Sequence, residues 1–279
     1  MILLQVTQLL LFPITACAFR SSLSLSLVSA DDSMPLTTAF VPRKTWEPNA
    51  AEAIVERWLL SSSSHTPGDC IPFLVALVGI PGSGKSTSAI LLAEELAARA
   101  HSPFVMPHDG YHYPLADLDN FPNPKDAIYR RGAPDTFDAA ALQRDIKRLK
   151  SVKETTIQLP GFDHAKGDPE YNAHIFERER HDIVICEGLY LLHDGDGWQE
   201  IRNLFDFCIF IESDIDDCIE RLKIRNAVIP GYTTEELILR CDAVDRVNAM
   251  TVQKSRPRAD LLVSSHLSAS THDHIFEGE

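Results

Sequence analysis

The feature that most constrains this fold is a glycine-rich segment at residues 79–87, which reads GIPGSGKST. It contains the complete pattern G-x-x-x-x-G-K-S. An uninterrupted apolar run at 73–78 precedes it, as is typical of a strand that is buried on both faces. Good helix formers with a broad apolar face follow it at 89–96. A strand, a glycine-rich turn and a helix in this order predict a loop that binds the phosphates of a nucleotide.

Each residue type in this loop has a physical role. The glycines allow backbone N–H groups to point at a polyphosphate, and the helix N-terminus adds a positive partial charge. Lys85 can reach the outer phosphates, and the hydroxyl of Ser86 can bind Mg²⁺. The alternative is an ordinary glycine-rich turn. The predicted nucleotide-binding residues are Gly79, Ile80, Pro81, Gly82, Ser83, Gly84, Lys85, Ser86 and Thr87.

Beyond residue 70, short apolar runs alternate with helical patterns. This alternation predicts an α/β fold with a mostly parallel sheet and helices on both of its faces. An amphipathic helix is predicted ahead of it at 49–60, and the polar segment 110–137 is long enough to be a functional loop. The predicted strands are 73–78, 103–107, 155–159, 183–186, 205–211 and 260–264. The predicted helices are 85–100, 138–150, 214–226 and 234–252.

Two carboxylates follow predicted strands. Asp109 comes after 103–107, and Glu187 comes directly after 183–186. In such a sheet ligands collect beyond the carboxyl ends of the strands. Phosphoryl transfer to a hydroxyl needs a proton acceptor and oxygen ligands for Mg²⁺, which suits Asp109 for the first role and Glu187, with Ser86, for the second. The alternatives are a turn residue for Asp109 and an ordinary helix or turn acid for Glu187.

Several motifs in order resemble the group of P-loop kinases that contains uridine kinase, phosphoribulokinase and pantothenate kinase. The motif DGYH at 109–112 resembles the D-G-F-H element of that group, and RRGAPDTFD at 130–138 resembles K-G-x-P-E-x-[FY]-D. The run LPGFD at 159–163 resembles P-x-[YF]-D, and EGL at 187–189 matches E-G-x. Residues 217–225 resemble its arginine-bearing lid helix. The chain is most similar to the little-characterised kinase-like members of bacteria and fungi.

This resemblance implies a P-loop NTPase fold, which is a three-layer α/β sandwich with a small helical lid. It also implies a kinase that uses ATP and Mg²⁺ to phosphorylate a hydroxyl of a small metabolite, such as a nucleoside, a pantothenate-like compound, a sugar or glycerate. Asp109 is then the general base, while Lys85, Arg221 and Arg225 act on the transferring phosphate. The residues expected to shape the acceptor pocket are Tyr111, His112, Arg131, Phe162 and Asp163.

The chain departs from two members of the group. HAKGDP follows Asp163 where uridine kinases continue to a His-x-Arg, which counts against uridine, and the phosphate loop lacks the redox cysteine of plant and algal phosphoribulokinases. Two other functions are alternatives to a kinase. A nucleotide-binding switch or GTPase is disfavoured because no N-K-x-D element occurs. A catalytically silent nucleotide-binding module is disfavoured because Lys85, Ser86, Asp109 and Glu187 are all present.

The ends of the chain differ from its middle. Residues 1–33 combine an apolar segment too short and too polar to span a membrane with a serine-rich stretch that has no acid until Asp31. We expect a presequence of the signal or transit type that leads to a plastid, the alternative being a cytoplasmic protein that starts at Met34. The remaining segments are expected to be an N-terminal helix with a serine-rich linker at 34–69, a P-loop kinase domain at 70–265 and a polar tail at 266–279.

The charge balance restricts the partners. The net charge is −14, with a pI near 5.2. A binding surface for nucleic acid has to be basic, so we expect no nucleic-acid partner. We also expect no stable membrane span, whereas the sequence leaves the oligomeric state open. The six cysteines lack the spacing of a metal site, and we expect no disulfide.

Overall fold

The computed structural model describes residues 39–41, 46–62, 70–163, 165–227 and 233–265. The predicted presequence, most of the serine-rich linker and the polar tail lie outside these residues.

A parallel sheet of six strands forms the centre of the fold. Its strand order is β1-β8-β7-β2-β6-β3. The strand that leads into the glycine-rich loop is therefore central, with a neighbour on each side, and all its residues are buried as its apolar sequence predicts. The strands of this sheet are β1 (Ala39–Val41), β2 (Phe73–Gly79), β3 (Pro103–Pro107), β6 (Ile183–Gly188), β7 (Phe207–Glu212) and β8 (Leu261–Ser264).

Helices lie on both faces of the sheet, because alternate residues of each strand point to opposite sides. Val75 and Leu77 of β2 pack in one apolar cluster with Leu92. Leu74 and its alternate neighbours pack in the other cluster with Ile146. The result is the predicted three-layer α/β sandwich. The α-helices are α1 (Trp46–Ser62), α2 (Lys85–Ala98), α3 (Leu115–Leu118), α4 (Pro124–Tyr129), α5 (Ala139–Leu149), α6 (Ile215–Asn226), α7 (Thr234–Arg240) and α8 (Arg246–Lys254).

Side-chain caps fix the beginnings of the helices around the lid. The carboxylate of Asp214 accepts the backbone N–H of Asp217 at the start of α6. Thr233 and Glu236 form a capping box at the start of α7, in which each side chain bonds the other's backbone N–H. These caps make the lid a defined set of helices rather than a loop.

Three predicted elements differ from the structure. The strand predicted at 155–159 is longer, as β4 (Thr156–Asp163), and pairs antiparallel with β5 (Asp168–Glu177) in a separate two-stranded sheet. The predicted helix 234–252 is interrupted by a π-helical turn at Cys241–Asp245. The segment 110–137 contains the short helices α3 and α4. β5 escaped prediction because most of its side chains are exposed and Phe176 is its one buried residue.

The cysteines of the described ranges are either free or disulfide-bonded. Cys186, Cys208, Cys218 and Cys241 are free and buried. Cys70 is held in a disulfide, so the expectation of no disulfide is wrong at that residue. Among the helices of the described ranges, none has the length and apolar character that crossing a bilayer requires.

Candidate active site

The glycine-rich loop is shaped by residues that tolerate no other side chain. Gly82 and Gly84 have φ angles of +79° and +86°, in the left-handed region that favours glycine. A Cβ on Gly79 would lie 2.7 Å from Oγ of Ser83. The backbone N–H of Ser83 donates to the carbonyl of Ile80 at 3.1 Å and closes the turn. The loop therefore has the curled backbone that a polyphosphate requires.

The loop leads into the N-terminus of α2, which can bind an anion. Gly84 is the N-cap residue, and no side chain caps this helix end. The first N–H groups and the helix dipole are thus available to phosphate oxygens. Nζ of Lys85 donates to the carbonyl of Ile80 at 3.2 Å. Burial lowers the pKa of Lys85, and the carboxylates of Glu187 and Asp109 act in the opposite direction.

The hydroxyl of Ser86 and the carboxylate of Glu187 form an oxygen pair beside the loop. Oγ of Ser86 donates to Oε1 of Glu187 at 2.9 Å. Burial raises the pKa of Glu187, while Lys85 and the Ser86 hydrogen bond counteract that rise. Mg²⁺ prefers oxygen ligands and often takes only one or two from the protein, the rest being waters and phosphates. This pair fits Mg²⁺, although the described residues hold no cluster of three or more metal-ligating side chains.

Asp109 lies at the end of the strand next to Glu187. Pro107, the last residue of β3, pairs in register with Glu187 of β6. Asp109 follows two residues later, in a 3₁₀ turn at His108–Tyr111. Burial raises the pKa of Glu187 and lowers that of Lys85, and the Asp109 charge acts upward on both, as expected for three groups close together. The predicted base, the predicted metal ligand and the loop lysine are therefore brought together.

An aromatic and cationic surface adjoins Asp109. Nδ1 of His112 lies 2.8 Å from the backbone carbonyl of Asp109, and the His112 ring lies 5.1 Å from the ring of Phe162. The guanidinium of Arg131 lies 5.7 Å from the same Phe162 ring and forms a 2.7 Å ion pair with Asp168. These residues form the predicted acceptor side of the site.

The structure does not bring two predicted residues into that surface. The side chain of Tyr111 is 3% exposed, and its hydroxyl donates to Oδ2 of Asp145 at 3.0 Å in the core under α5. The carboxylate of Asp163 holds the hairpin turn between β4 and β5, where it accepts the N–H of Ala165 at 2.9 Å and pairs with Lys166 at 2.9 Å. Tyr111 was expected to line the pocket because it belongs to the DGYH motif, but the 3₁₀ turn directs its side chain into the core and that of His112 towards Phe162.

The lid helix α6 packs directly on the phosphate loop. A Cβ on Gly82 would lie 2.7 Å from the carbonyl oxygen of Cys218. Nη1 of Arg221 donates to the carbonyl of Gly82 at 3.0 Å. Burial is the main cause of the lowered pKa of Lys85, and the charge of Arg225 adds to it, so Arg225 lies within electrostatic reach of the loop lysine. Both predicted lid arginines therefore lie at the loop.

Sequence reasoning missed three residues of this region. Arg240, at the end of α7, donates from Nη2 to the backbone carbonyl of Arg131 at 2.7 Å. Asp245 lies on the π-helical turn, with Oδ2 3.5 Å from Nη1 of Arg240. The buried ring of His108 stacks on Phe137 at 4.3 Å, and burial lowers its pKa to about 3. The sequence did contain a sign that Asp245 is unusual, because it places an acid in the otherwise apolar stripe of the predicted helix 234–252.

A cavity of about 390 Å³ adjoins the other side of the phosphate loop. Its volume lies in the usual range for small-molecule pockets. It opens between the ends of β7 and β8, next to the position that the phosphates of a nucleotide would take. Its lining residues are Ile80, Phe210, Glu212, Ser213, Asp214, Gln253, Arg256 and Ser264.

A phosphate loop on the central strand of a parallel sheet, covered by an arginine-bearing helix, defines a P-loop kinase fold. The family model described as Phosphoribulokinase / Uridine kinase family matches residues 74–271. The chain belongs to this family. It is therefore a phosphotransferase whose acceptor is an alcohol group.

Known proteins agree with this assignment. A candidate uridine kinase of Schizosaccharomyces pombe is 34% identical over 195 residues, which are 68% of this chain and 82% of that protein. A pantothenate kinase of Rhodococcus opacus is 33% identical over 153 residues, which are 54% of this chain and 47% of that protein. The solved structure of a candidate fructose transport system kinase from a Silicibacter species is 31% identical, with a TM-score of 0.66, and is matched over 77% of this chain and 98% of that one.

Proposed function

We propose that this protein transfers the γ-phosphoryl group of Mg²⁺-bound ATP to a hydroxyl of a small metabolite. The observation that carries the proposal is the grouping of Lys85, Asp109 and the Ser86–Glu187 pair at adjacent strand ends. This grouping supplies a phosphate-binding cation, a proton acceptor and an oxygen site for a divalent cation.

The phosphates of ATP bind along residues 79–87, where the loop N–H groups and the start of α2 neutralise their charge. Lys85 lies at the outer phosphates. Ser86 and Glu187 would hold Mg²⁺, which offsets negative charge on the phosphates when it is bound. The cavity lined by Ile80 and Arg256 would take the nucleoside part of ATP.

Asp109 accepts the proton of the acceptor hydroxyl. The acceptor oxygen forms a bond to the γ-phosphorus as the bond from that phosphorus to the β,γ-bridging oxygen breaks, and ADP leaves. Phosphoryl transfer needs little covalent help, so positioning and charge stabilisation dominate. Arg225, which faces Lys85, and Arg221, which is bonded to the loop carbonyl of Gly82, stabilise the transferring group.

The acceptor lies between Asp109 and the surface formed by His112, Phe162 and Arg131. The relatives named above bear the names of kinases for uridine and pantothenate and of a fructose transport system. We therefore propose an acceptor among nucleosides, pantothenate-like compounds, sugars and glycerate-type compounds.

A screen of ATP consumption tests the proposal. Purified protein from residue 34 onward is assayed with Mg²⁺-ATP and uridine, pantothenate, D-glycerate, D-fructose and sugar phosphates. Acceptor-dependent formation of ADP is the expected result. Lys147→Ala, a change of an exposed lysine on α5, is the control for Lys85→Ala. ATP binding without acceptor-dependent turnover in the whole screen would favour a silent nucleotide-binding module, and preference for GTP would favour a switch.

A further inference from the structure

The carboxylate of Asp245 is mostly buried, yet one of its oxygens lacks a hydrogen-bond donor within the described ranges. Its side chain is 14% exposed, and it lies on the π-helical turn between α7 and α8. The thiol of Cys241 hydrogen-bonds this carboxylate, but its Oδ2 atom, 3.5 Å from Nη1 of Arg240, has no hydrogen-bond donor in the described part of the chain. A buried acceptor without a donor is costly and requires an explanation.

Other acids of this chain that hold an arginine in place make shorter and more numerous hydrogen bonds than Asp245. Asp135 accepts from two nitrogens of Arg130 at 2.9 and 3.0 Å. Asp260 accepts from Arg202 at 2.9 Å and also from the backbone N–H of Cys208 at 2.8 Å. Such short, saturated contacts are the mark of a carboxylate that holds an arginine in place. Asp245 has no such pairing with Arg240.

Asp245 faces the acceptor side of the site. Three residues further on, and so on the same face of the helix, Nδ2 of Asn248 lies 3.4 Å from the position of a Cβ on Gly132. Arg240 bonds the backbone carbonyl of Arg131. Burial and then the charge of Asp245 raise the pKa of Tyr190, whose hydroxyl donates to the carbonyl of Gly132 at 2.7 Å. The turn at 131–132, which carries the acceptor-side arginine, therefore lies against Asp245.

A π-helical turn explains how an acid reaches this position. One extra residue in a helix rotates the following side chains relative to those before it, and such turns often occur at functional sites. Here the turn ends at Asp245, and α8 continues directly from it. The hydrogen bond from Arg240 to the carbonyl of Arg131 ties this part of the chain to the 131–132 turn, next to the acceptor side.

We propose that Asp245 is an acceptor-binding residue that takes a hydrogen bond from a second hydroxyl of the substrate. This inference rests on the proposed function. It narrows the acceptor class to compounds with at least two hydroxyl groups, one that gives its proton to Asp109 and receives the phosphoryl group, and one that donates to Oδ2 of Asp245.

Paired probes that differ only in hydroxyl content test the proposal. Rates are measured with uridine and 2′,3′-dideoxyuridine, and with D-glycerate and 3-hydroxypropionate. The wild-type protein should prefer the hydroxylated member of the accepted pair by about 10- to 100-fold in kcat/KM. Asp245→Asn should reduce this preference several-fold, because its amide oxygen accepts a hydrogen bond without the negative charge. An undiminished preference in Asp245→Asn would overturn the proposal.

The control variant is Asp242→Asn, on the same π-helical turn. The Asp242 side chain is 42% exposed and pairs with Lys223 at 3.0 Å, so its loss should leave the preference unchanged. The Arg240→Gln background distinguishes direct contact between Asp245 and the substrate from an effect that Asp245 exerts through Arg240. If Asp245→Asn has no further effect in the Arg240→Gln background, Asp245 acts only through that arginine and the proposal is wrong.

Stability of the ligand-free protein gives a second test that needs no acceptor. Because burial raises the pKa of Asp245 despite Arg240 and Arg225, its ionised form is disfavoured in the folded state. Asp245→Asn should therefore keep or raise the urea midpoint at pH 7 relative to Asp242→Asn. A lower midpoint would make Asp245 a structural partner and contradict its assignment. Failure of these probes and of every other acceptor in the screen with the wild-type protein would instead count against the proposed function, while this stability result still decides the role of Asp245.

Discussion

The hydroxyl of Ser86 donates a 2.9 Å hydrogen bond to Oε1 of Glu187. This bond joins the first turn of α2 to the end of the neighbouring strand β6, across 101 residues of sequence. It places an alcohol oxygen and a carboxylate side by side where the phosphates of a nucleotide would end. Ser86 and Glu187 would together hold an ion that requires oxygen ligands.

Replacement of Glu187 by Gln should weaken the response to Mg²⁺. The amide keeps the size of the side chain but removes the charge that attracts a divalent cation. We expect the Mg²⁺ concentration for half-maximal activity to rise at least about tenfold, as for other losses around a metal site. Glu94→Gln, an exposed change on α2, is the control. An unchanged Mg²⁺ dependence would remove Glu187 from the metal site.

The same variant makes a prediction about pH. Burial raises the pKa of Glu187, so the folded state disfavours its ionised form. Without metal, the contribution of Glu187 to the free energy of unfolding should fall as pH rises from the ordinary carboxyl pKa through the raised one, whereas buried histidines such as His108 act in the opposite direction in both proteins. Glu187→Gln should therefore gain stability relative to the wild type as pH rises, and Asp245, whose pKa is also raised, contributes equally to both curves. Urea unfolding between pH 4.5 and 8 measures both curves, and identical curves would contradict the raised pKa.

Lys85→Ala should lose activity and keep the fold. The ammonium opposes the outer phosphates, and burial lowers its pKa, so its charge is not a source of stability. We expect turnover to fall by more than about 100-fold, with a melting temperature equal to or above that of the wild type. Calorimetry and rate measurements on one preparation check this, with Lys147→Ala as the control. Near-normal turnover would refute the assignment of the phosphate loop.

The two lid arginines should differ in stability. Arg221 bonds the carbonyl of Gly82 at 3.0 Å and that of Asp217 at 2.9 Å, whereas Arg225, among the residues that the structure describes, bonds only its neighbour Asn226. Arg221→Gln should cost about 1.5 kcal/mol of stability, as for other hydrogen bonds from a charged group, and Arg225→Gln much less. Both should lower kcat. Equal urea midpoints for the two variants would show that the Arg221 contact to the loop carries no stability.

The sequence predicted the elements whose pattern repeats over many residues. The continuous apolar run of β2 and the G-x-x-x-x-G-K-S loop predicted the strand, turn and helix found at 73–98, but not the cavity beside them. Asp109 and Glu187 were found because carboxylates at strand ends of a parallel sheet meet at one edge, and the register of Pro107 with Glu187 confirms that they do.

The acceptor side was harder to predict because long-range contacts decide it. Tyr111 and His112 are neighbours in sequence, yet one lies in the core and the other in the site. The helical period across 234–252 gave no sign of the π-helical turn, which depends on how α7 and α8 pack against the core. Arg240 and Asp245 lie at the two ends of that turn, so their position near residues 131–132 also escaped prediction.

Transfer of the terminal phosphate of ATP to an organic acceptor tests the central claim most directly. Wild-type protein and Asp109→Asn are incubated with Mg²⁺ and γ-³²P-labelled ATP in the presence of each acceptor of the screen, and ATP affinity is measured by calorimetry. We predict a labelled organic phosphate with at least one acceptor, formed about 10²–10⁴-fold more slowly by Asp109→Asn at unchanged ATP affinity. Label that reaches only inorganic phosphate, or equal rates for the two proteins, would contradict a kinase in which Asp109 is the base.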